Sequence, residues 1–188
     1  MAIRSLVAAC LCWSAIAAGQ TSAAAKTYDV KDAYQIYSLL LSHEELFNFA
    51  KGPLIIQAET EESKGDLSEP CVTPEAASRF KDAIADYKRV NKKQWLLQRQ
   101  FQIEKPYGIV SSETIGIRYP ESDGLRNLAE TTRYIIMSAV GFNREKTLAV
   151  VYYGSSCGSL CGSWRFHPIA KIDGNWKEVP GVPCETIS

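Results

Sequence analysis

The sequence has no excess of either charge: 21 Lys and Arg stand against 21 Asp and Glu, for a formal net charge of +0. A nucleic-acid-binding domain would carry a basic excess, so that class is disfavoured. There is no glycine or proline repeat, and at 46% hydrophobic and 22% charged residues the chain lacks the apolar-poor profile of disorder. No apolar run reaches the roughly 20 residues of a membrane-spanning helix. Asn-x-Ser/Thr sites, phosphate-binding glycine loops and calcium-loop patterns are all missing. His43-Glu44-Glu45 lacks the second histidine four residues on that would make a zinc-protease helix. No internal repeat or linker divides the 188 residues, so one domain is expected.

What is present first is an address. Met1–Ala25 starts with a single positive charge, Arg4, and runs through apolar, alanine-rich Leu6–Ala18. It ends in two small-residue exits, Ala17-Ala18-Gly19 and Ala23-Ala24-Ala25. This is the layout of a secretory signal peptide, so residues 26–188 are expected to form a secreted or periplasmic domain. A lipoprotein anchored at Cys10 is a lesser alternative, because only about five apolar residues would precede that cysteine rather than about 7–15. Cleavage removes Arg4, Cys10 and Cys12, leaving four cysteines: Cys71, Cys157, Cys161 and Cys184. An even count in an exported chain reads as disulfides.

Along the remaining chain, Ala33, Ile36, Tyr37, Leu40 and Leu41 recur at helical spacing within Asp29–Leu41, with Asp29 or Asp32 available as a cap. Leu54–Ala58 reads as a strand and acid-rich Glu59–Pro70 as a loop. Thr73-Pro74 opens the clearest helix, whose apolar stripe is Ala76, Phe80, Ala83, Ile84, Tyr87 and Val90. Lys88, Arg89, Lys92 and Lys93 crowd its end, where the helix dipole favours cations; a phosphate-binding patch is the alternative. Tyr107–Val110 is strand-like, and Ser122–Thr132 is ambiguous between a short helix and a loop.

From Tyr134 onward the pattern is that of strands. Leu148–Tyr153 is apolar on both faces, as in a central strand covered on each side. Trp164–Ile172 alternates but contains Pro168, which implies a bulge or an edge. Asp173-Gly174 is a hairpin signal, with the chain returning through Asn175–Val179. The expected fold class is α+β, with N-terminal helices packed on a C-terminal antiparallel β-meander.

Three segments, Ser138-Ala139-Val140-Gly141-Phe142-Asn143 with Val151-Tyr152, Cys157-Gly158-Ser159-Leu160-Cys161-Gly162, and Lys171-x-x-Gly174-x-Trp176, carry a resemblance. The chain over about residues 134–180 resembles a family of uncharacterised exported bacterial domains. The resemblance implies bacterial export and no particular chemistry. A helix followed by a curved sheet is also similar to cystatin-like folds and to folds of the nuclear-transport-factor-2 type, by analogy alone.

Several patterns look catalytic. Gly154-Ser155-Ser156-Cys157-Gly158 matches the G-x-S-x-G nucleophile elbow, but no acid lies between Ser156 and the later His167, and no helix is expected next. Cys157 and Cys161 with His167 invite a metal reading, which would need a fourth ligand from Cys71, Cys184 or His43. A Cys-x-x-x-Cys loop joining strands also lacks the Cys-x-x-Cys spacing and helix N-terminus of thiol oxidoreductases. A structural disulfide pinning a glycine-rich loop accounts for the same residues, so no cofactor or metal is expected.

Four cysteines allow three pairings, which sequence alone leaves open. Gly158 and Gly162 let a local Cys157–Cys161 bond form, and Cys71 and Cys184 then have each other. The functional expectation is a non-catalytic domain that binds a protein or a cell-envelope component through the cross-linked loop, with Tyr153, Leu160 and Trp164 as contacts. Tyr153 and Trp164 taken singly also read as core. The rival expectations are a thiol–disulfide oxidoreductase using Cys157 and Cys161, and a cavity enzyme with titratable residues in a concave pocket.

Overall fold

The computed structural model describes residues 25–43, 53–62, 73–118, 134–156, 162–179 and 185–187. Its elements in chain order are β1 (Lys26–Thr27), α1 (Lys31–His43), β2 (Leu54–Gln57), α2 (Pro74–Arg79), α3 (Lys81–Val90), β3 (Trp95–Leu96), β4 (Tyr107–Val110) and α4 (Ser112–Arg118). They continue with β5 (Tyr134–Met137), β6 (Gly141–Phe142), β7 (Leu148–Ser156), β8 (Gly162–Ile172), β9 (Asn175–Glu178) and β10 (Glu185–Ile187). The fold is α+β, as expected.

The main sheet runs β10-β8-β7-β5-β2-β4, with β6 added to β7 and β9 to β8. Among β5–β10 every pairing is antiparallel. The sheet is larger than the expected meander, because β2 joins it parallel to both β4 and β5. Alternation identifies a strand but not its partner, and this pairing depends on crossovers through the helical half of the chain.

Helices cover both faces, which departs from the helix-then-sheet layout of the cystatin analogy. On β7, Ala149, Val151 and Tyr153 join the cluster of α1, which holds Ile36, Tyr37, Leu40, Ile56, Ile135 and Ile169. Val150 and Tyr152 point the other way, to Phe80, Ala83 and Tyr87 of the α2–α3 layer. Two covered faces explain why β7 is apolar at successive positions. Each fully buried isoleucine in the larger cluster contributes about 1.5–3 kcal/mol relative to exposure.

The single helix expected from Thr73 is two. Thr73 Oγ1 accepts from Ala76 N at 3.3 Å, and Pro74 opens α2. Phe80 then leaves helical geometry at φ −97° and ψ 12°, although its N–H still reaches Ala76 O and its carbonyl still accepts from Ile84 N. The stripe therefore stays on one face across the break. At the far end Arg89 pairs with Asp86 and Lys93 sits 4.2 Å from the Trp95 ring centre.

Neither Asp29 nor Asp32 caps α1 with its side chain; the Val30 carbonyl receives Ala33 N at 2.9 Å. Asp32 instead faces Lys171 on β8 (3.1 Å) and Lys146 in the β6–β7 turn (3.7 Å).

Residues 138–143 are where both helical layers grip the sheet. Ser138 Oγ accepts from Tyr152 N, and the Asn91 side chain brackets Ala139 through both its N–H and its carbonyl. Val140 N donates to Tyr28 Oη and Phe142 N to Asp86 Oδ2. Gly141 lies against α3 so closely that a side chain there would meet the backbone of Ala83 and Tyr87. Asn143 Oδ1 then accepts from Thr147 N and Leu148 N to close the turn.

β8 carries no bulge, since its register with β7 is unbroken from Leu148↔Ala170 to Ser156↔Gly162. The Pro168 carbonyl accepts from Val179 N, so its missing donor faces the β9 side, and β9 ends at Glu178, one residue before that position. Pro168 thus costs the β7–β8 ladder nothing and terminates β9. The β8–β9 connection is the expected two-residue turn, with Asp173 at φ 52° and Gly174 at φ 80°. Positive φ at both central residues is the type I′ arrangement.

Candidate functional site

The residues singled out from sequence do not form one site. Tyr153 is 2% exposed in the α1-side core, whereas Trp164 is half-buried on the α2–α3 face, its ring lying over Gly154 and Gly162. Side chains alternate across a strand pair, so the two cannot share a contact patch. Leu160 and all four cysteines, Cys71, Cys157, Cys161 and Cys184, lie outside the described residues, as does Ser122–Thr132.

The nucleophile-elbow pattern fails on geometry. Ser156 ends β7 and pairs with Gly162 of the antiparallel neighbour, leaving five residues between the strands and no room for the helix that an elbow requires. Ser156 shares a face with Tyr152, and His167, opposite Val151, lies on the other. His167 is 6% exposed; its Nδ1 contacts Glu178 Oε1, its ring meets the edge of Tyr153 at 5.6 Å, and its Nε2 is buried without a hydrogen bond. The His167–Glu178 pair joins β8 to β9 inside the sheet. Among the described residues no three His, Cys, Asp or Glu side chains come together as a metal site would need.

A second polar cluster gathers where the parallel strands end. Gln57 Nε2 donates to Glu59 O and to Glu61 Oε1, and Glu59 Oε2 accepts from Ser112 N. Burial pushes the Tyr87 and Tyr152 hydroxyls well above the ordinary phenol range, and the Glu61 charge adds to the effect. Held protonated, neither can act as a base. Both carboxylates are engaged in holding β2 to its surroundings.

A further feature among the described residues is concave. A cleft of about 360 Å³ opens between the outer flank of α1 and the β8–β9 hairpin, lined by Gln35, Ser38, Leu39, Ser42, Gln102, Gly174, Asn175 and Trp176. Local folding sets each wall. Successive turns of α1 place Gln35, Ser38 and Ser42 on one stripe. Ser38 Oγ donates to Tyr34 O (2.6 Å) and accepts from Gln102 N (2.8 Å), which ties the 101–103 segment to the helix. Ser42 Oγ donates to Ser38 O. The type I′ turn presents Gly174 and Asn175 at the mouth. Trp176 is 7% exposed, with Phe142 at 5.8 Å on one side and Lys171 Nζ 4.8 Å from its ring centre.

Asp32 lies between two lysines, Lys171 and Lys146, and none of the three lines the cleft. Burial pushes the Asp32 carboxyl up, but the hydrogen bond and charge of Lys171, the indole of Trp176 and the charge of Lys146 together hold it below its ordinary value. The Trp176 N–H lies outside normal hydrogen-bond geometry and acts as a nearby dipole. None of the eight lining residues is charged or titrates near neutral pH.

Sequence reasoning did not single out Gln35, Ser42, Gln102 or Asn175. On a helix flank and in connecting segments such residues read as solvated surface. Gly174, through the Asp173-Gly174 hairpin signal, and Trp176, within the Lys171-x-x-Gly174-x-Trp176 pattern, were the lining residues that carried a signal. Comparison with protein-family models, with curated proteins and with solved structures finds no match to this chain.

Proposed function

We propose that the protein is a non-catalytic, exported binding domain of the bacterial envelope, stabilised by Cys157–Cys161 and Cys71–Cys184 disulfides, whose ligand sits in the cleft between α1 and the β8–β9 hairpin. The observation that carries this reading is the lining itself: a concave site with hydrogen-bonding side chains and an aromatic wall, and no acid, base or thiol. A cavity enzyme needs at least one titratable group at its pocket. The Met1–Ala25 pattern supports export, and no helix among the described residues is long and apolar enough to cross a membrane. The pairing of Ser156 with Gly162 supports the first disulfide, because Cys157 and Cys161 directly follow and precede these two residues.

Ligand-induced stabilisation tests the reading. A small molecule that binds only the folded state raises the melting temperature with the logarithm of its concentration over Kd once that ratio exceeds one. The low-molecular-weight fraction of an envelope extract should stabilise the wild-type protein and leave a cleft-filling Ser42→Tyr variant unmoved. Equal stabilisation of both, or of neither, overturns the cleft as the binding site. Turnover in an insulin-reduction assay would instead establish the oxidoreductase.

A further inference from the structure

We infer that the cleft takes an uncharged, polyhydroxylated ligand, a short saccharide; this deepens the reading above and rests on it. An anion or cation entering the cleft would lose hydration with no charge in the lining to replace it. Of the charged groups around it, Asp32 is held between Lys171 and Lys146.

What the lining offers is amide and hydroxyl chemistry. Carboxamides both donate and accept, as sugar hydroxyls do. Gln35 and Gln102 are exposed, and their carboxamides make no hydrogen bond among the described residues, so both are available to a ligand. Asn175 Nδ2 makes one long contact, 3.3 Å to Asp173 O, and its carbonyl oxygen stays open. Ser42 Oγ spends its proton on Ser38 O and keeps its lone pairs.

The rest of the lining suits the apolar C–H face of a pyranose. Leu39 and Trp176, the latter 7% exposed, are the apolar members of the lining, and the space beside Gly174 is open. The volume is at the lower end of the roughly 300–1,000 Å³ typical of small-molecule sites, which fits a short saccharide. A neutral peptide, whose backbone N–H and C=O groups also pair with carboxamides, is the competing occupant that the titration below separates.

The test is a calorimetric titration of the full exported chain with maltotetraose, cellotetraose and chitotetraose, alongside a blocked Ala-Gly-Ser hexapeptide and inorganic phosphate. At least one tetrasaccharide should bind while the peptide and phosphate do not. The double variant Gln35→Ala, Gln102→Ala should melt as the wild type does and bind that saccharide about tenfold more weakly, as removal of two neutral hydrogen bonds implies. Absence of binding to all three saccharides, binding that the double variant leaves unchanged, or equal binding of the peptide would each overturn the inference. If the envelope extract stabilises the wild type but not Ser42→Tyr while all three saccharides fail, the ligand class is wrong and the site stands. If the extract fails as well, both fall.

Discussion

Replacing Gly141 with alanine probes the closest approach between layers. The added Cβ would stand 2.5 Å from Tyr87 Cα and closer still to Tyr87 N and Ala83 O. Carbon atoms pack at about 3.5–4.0 Å, so α3 would have to retreat by roughly 1 Å. The neighbours are helix backbone, which cannot swing aside as a flexible side chain would. Overpacking of this kind costs about 1–3 kcal/mol. The retreat also stretches the bond from Phe142 N to the Asp86 carboxylate (3.0 Å), worth about 1.5–3 kcal/mol for a charged acceptor.

Together these give a loss of about 2.5–6 kcal/mol, or roughly 5–24 °C in melting temperature for a chain of this size. Gly108→Ala is the matched control. Its Cβ would meet only Ile55 Cδ1 at 3.8 Å, an ordinary contact, so it should be neutral or stabilising by up to about 1 kcal/mol. Urea unfolding followed by circular dichroism measures both. If Gly141→Ala loses no more than about 0.5 kcal/mol relative to Gly108→Ala, α3 does not rest on β6 as described.

Gly174→Val should cost about 2 kcal/mol by thermal melt through its φ of 80° alone, since no atom crowds the position, whereas Gly174→Asn should be tolerated. Because its folded value lies below the ordinary 3.8, the Asp32 carboxylate stabilises the protein above that pH, and the contribution is lost as pH falls toward the folded value. Asp32→Asn should therefore lower stability at pH 7 and change it little near pH 2; equal loss at both would refute the Lys171 and Lys146 pairing. Non-reducing peptide mapping should find Cys157–Cys161 and Cys71–Cys184. Cys71→Ser should then lower the melting temperature more than Cys157→Ser with Cys161→Ser, since chain-entropy estimates are about 5 and about 2 kcal/mol.

The parts of this fold that sequence revealed are those fixed by local chemistry. Thr73-Pro74 announced α2, Asp173-Gly174 announced a turn with two positive φ values, and the doubly apolar run in β7 announced a covered central strand. The resemblance segment around Gly141 also acquires a physical reason, because residues 138–143 are fixed by the helical layers, by Tyr28 ahead of α1, by a neighbouring strand or by their own turn.

Hidden from sequence were the features set by distant partners. Nothing local marks β2 as parallel to β4 and β5, and nothing in Pro168 says that its missing donor faces the place where β9 ends. The cleft was illegible for the same reason. Gln35 and Gln102 line one cleft because the 101–103 segment lies against α1, held by Ser38 Oγ and by Phe101 packed on Tyr34 and Tyr37.

The most direct measurement of the central claim is residue-resolved amide and indole chemical-shift mapping of the full exported chain during titration with the low-molecular-weight envelope fraction. The account predicts saturable shifts at Gln35, Ser42, Gln102, Gly174 and Asn175 and at the Trp176 indole N–H, with His167 and the Glu61–Tyr87–Tyr152 cluster unmoved. Shifts centred on His167 or on Glu61, with the cleft silent, would contradict it.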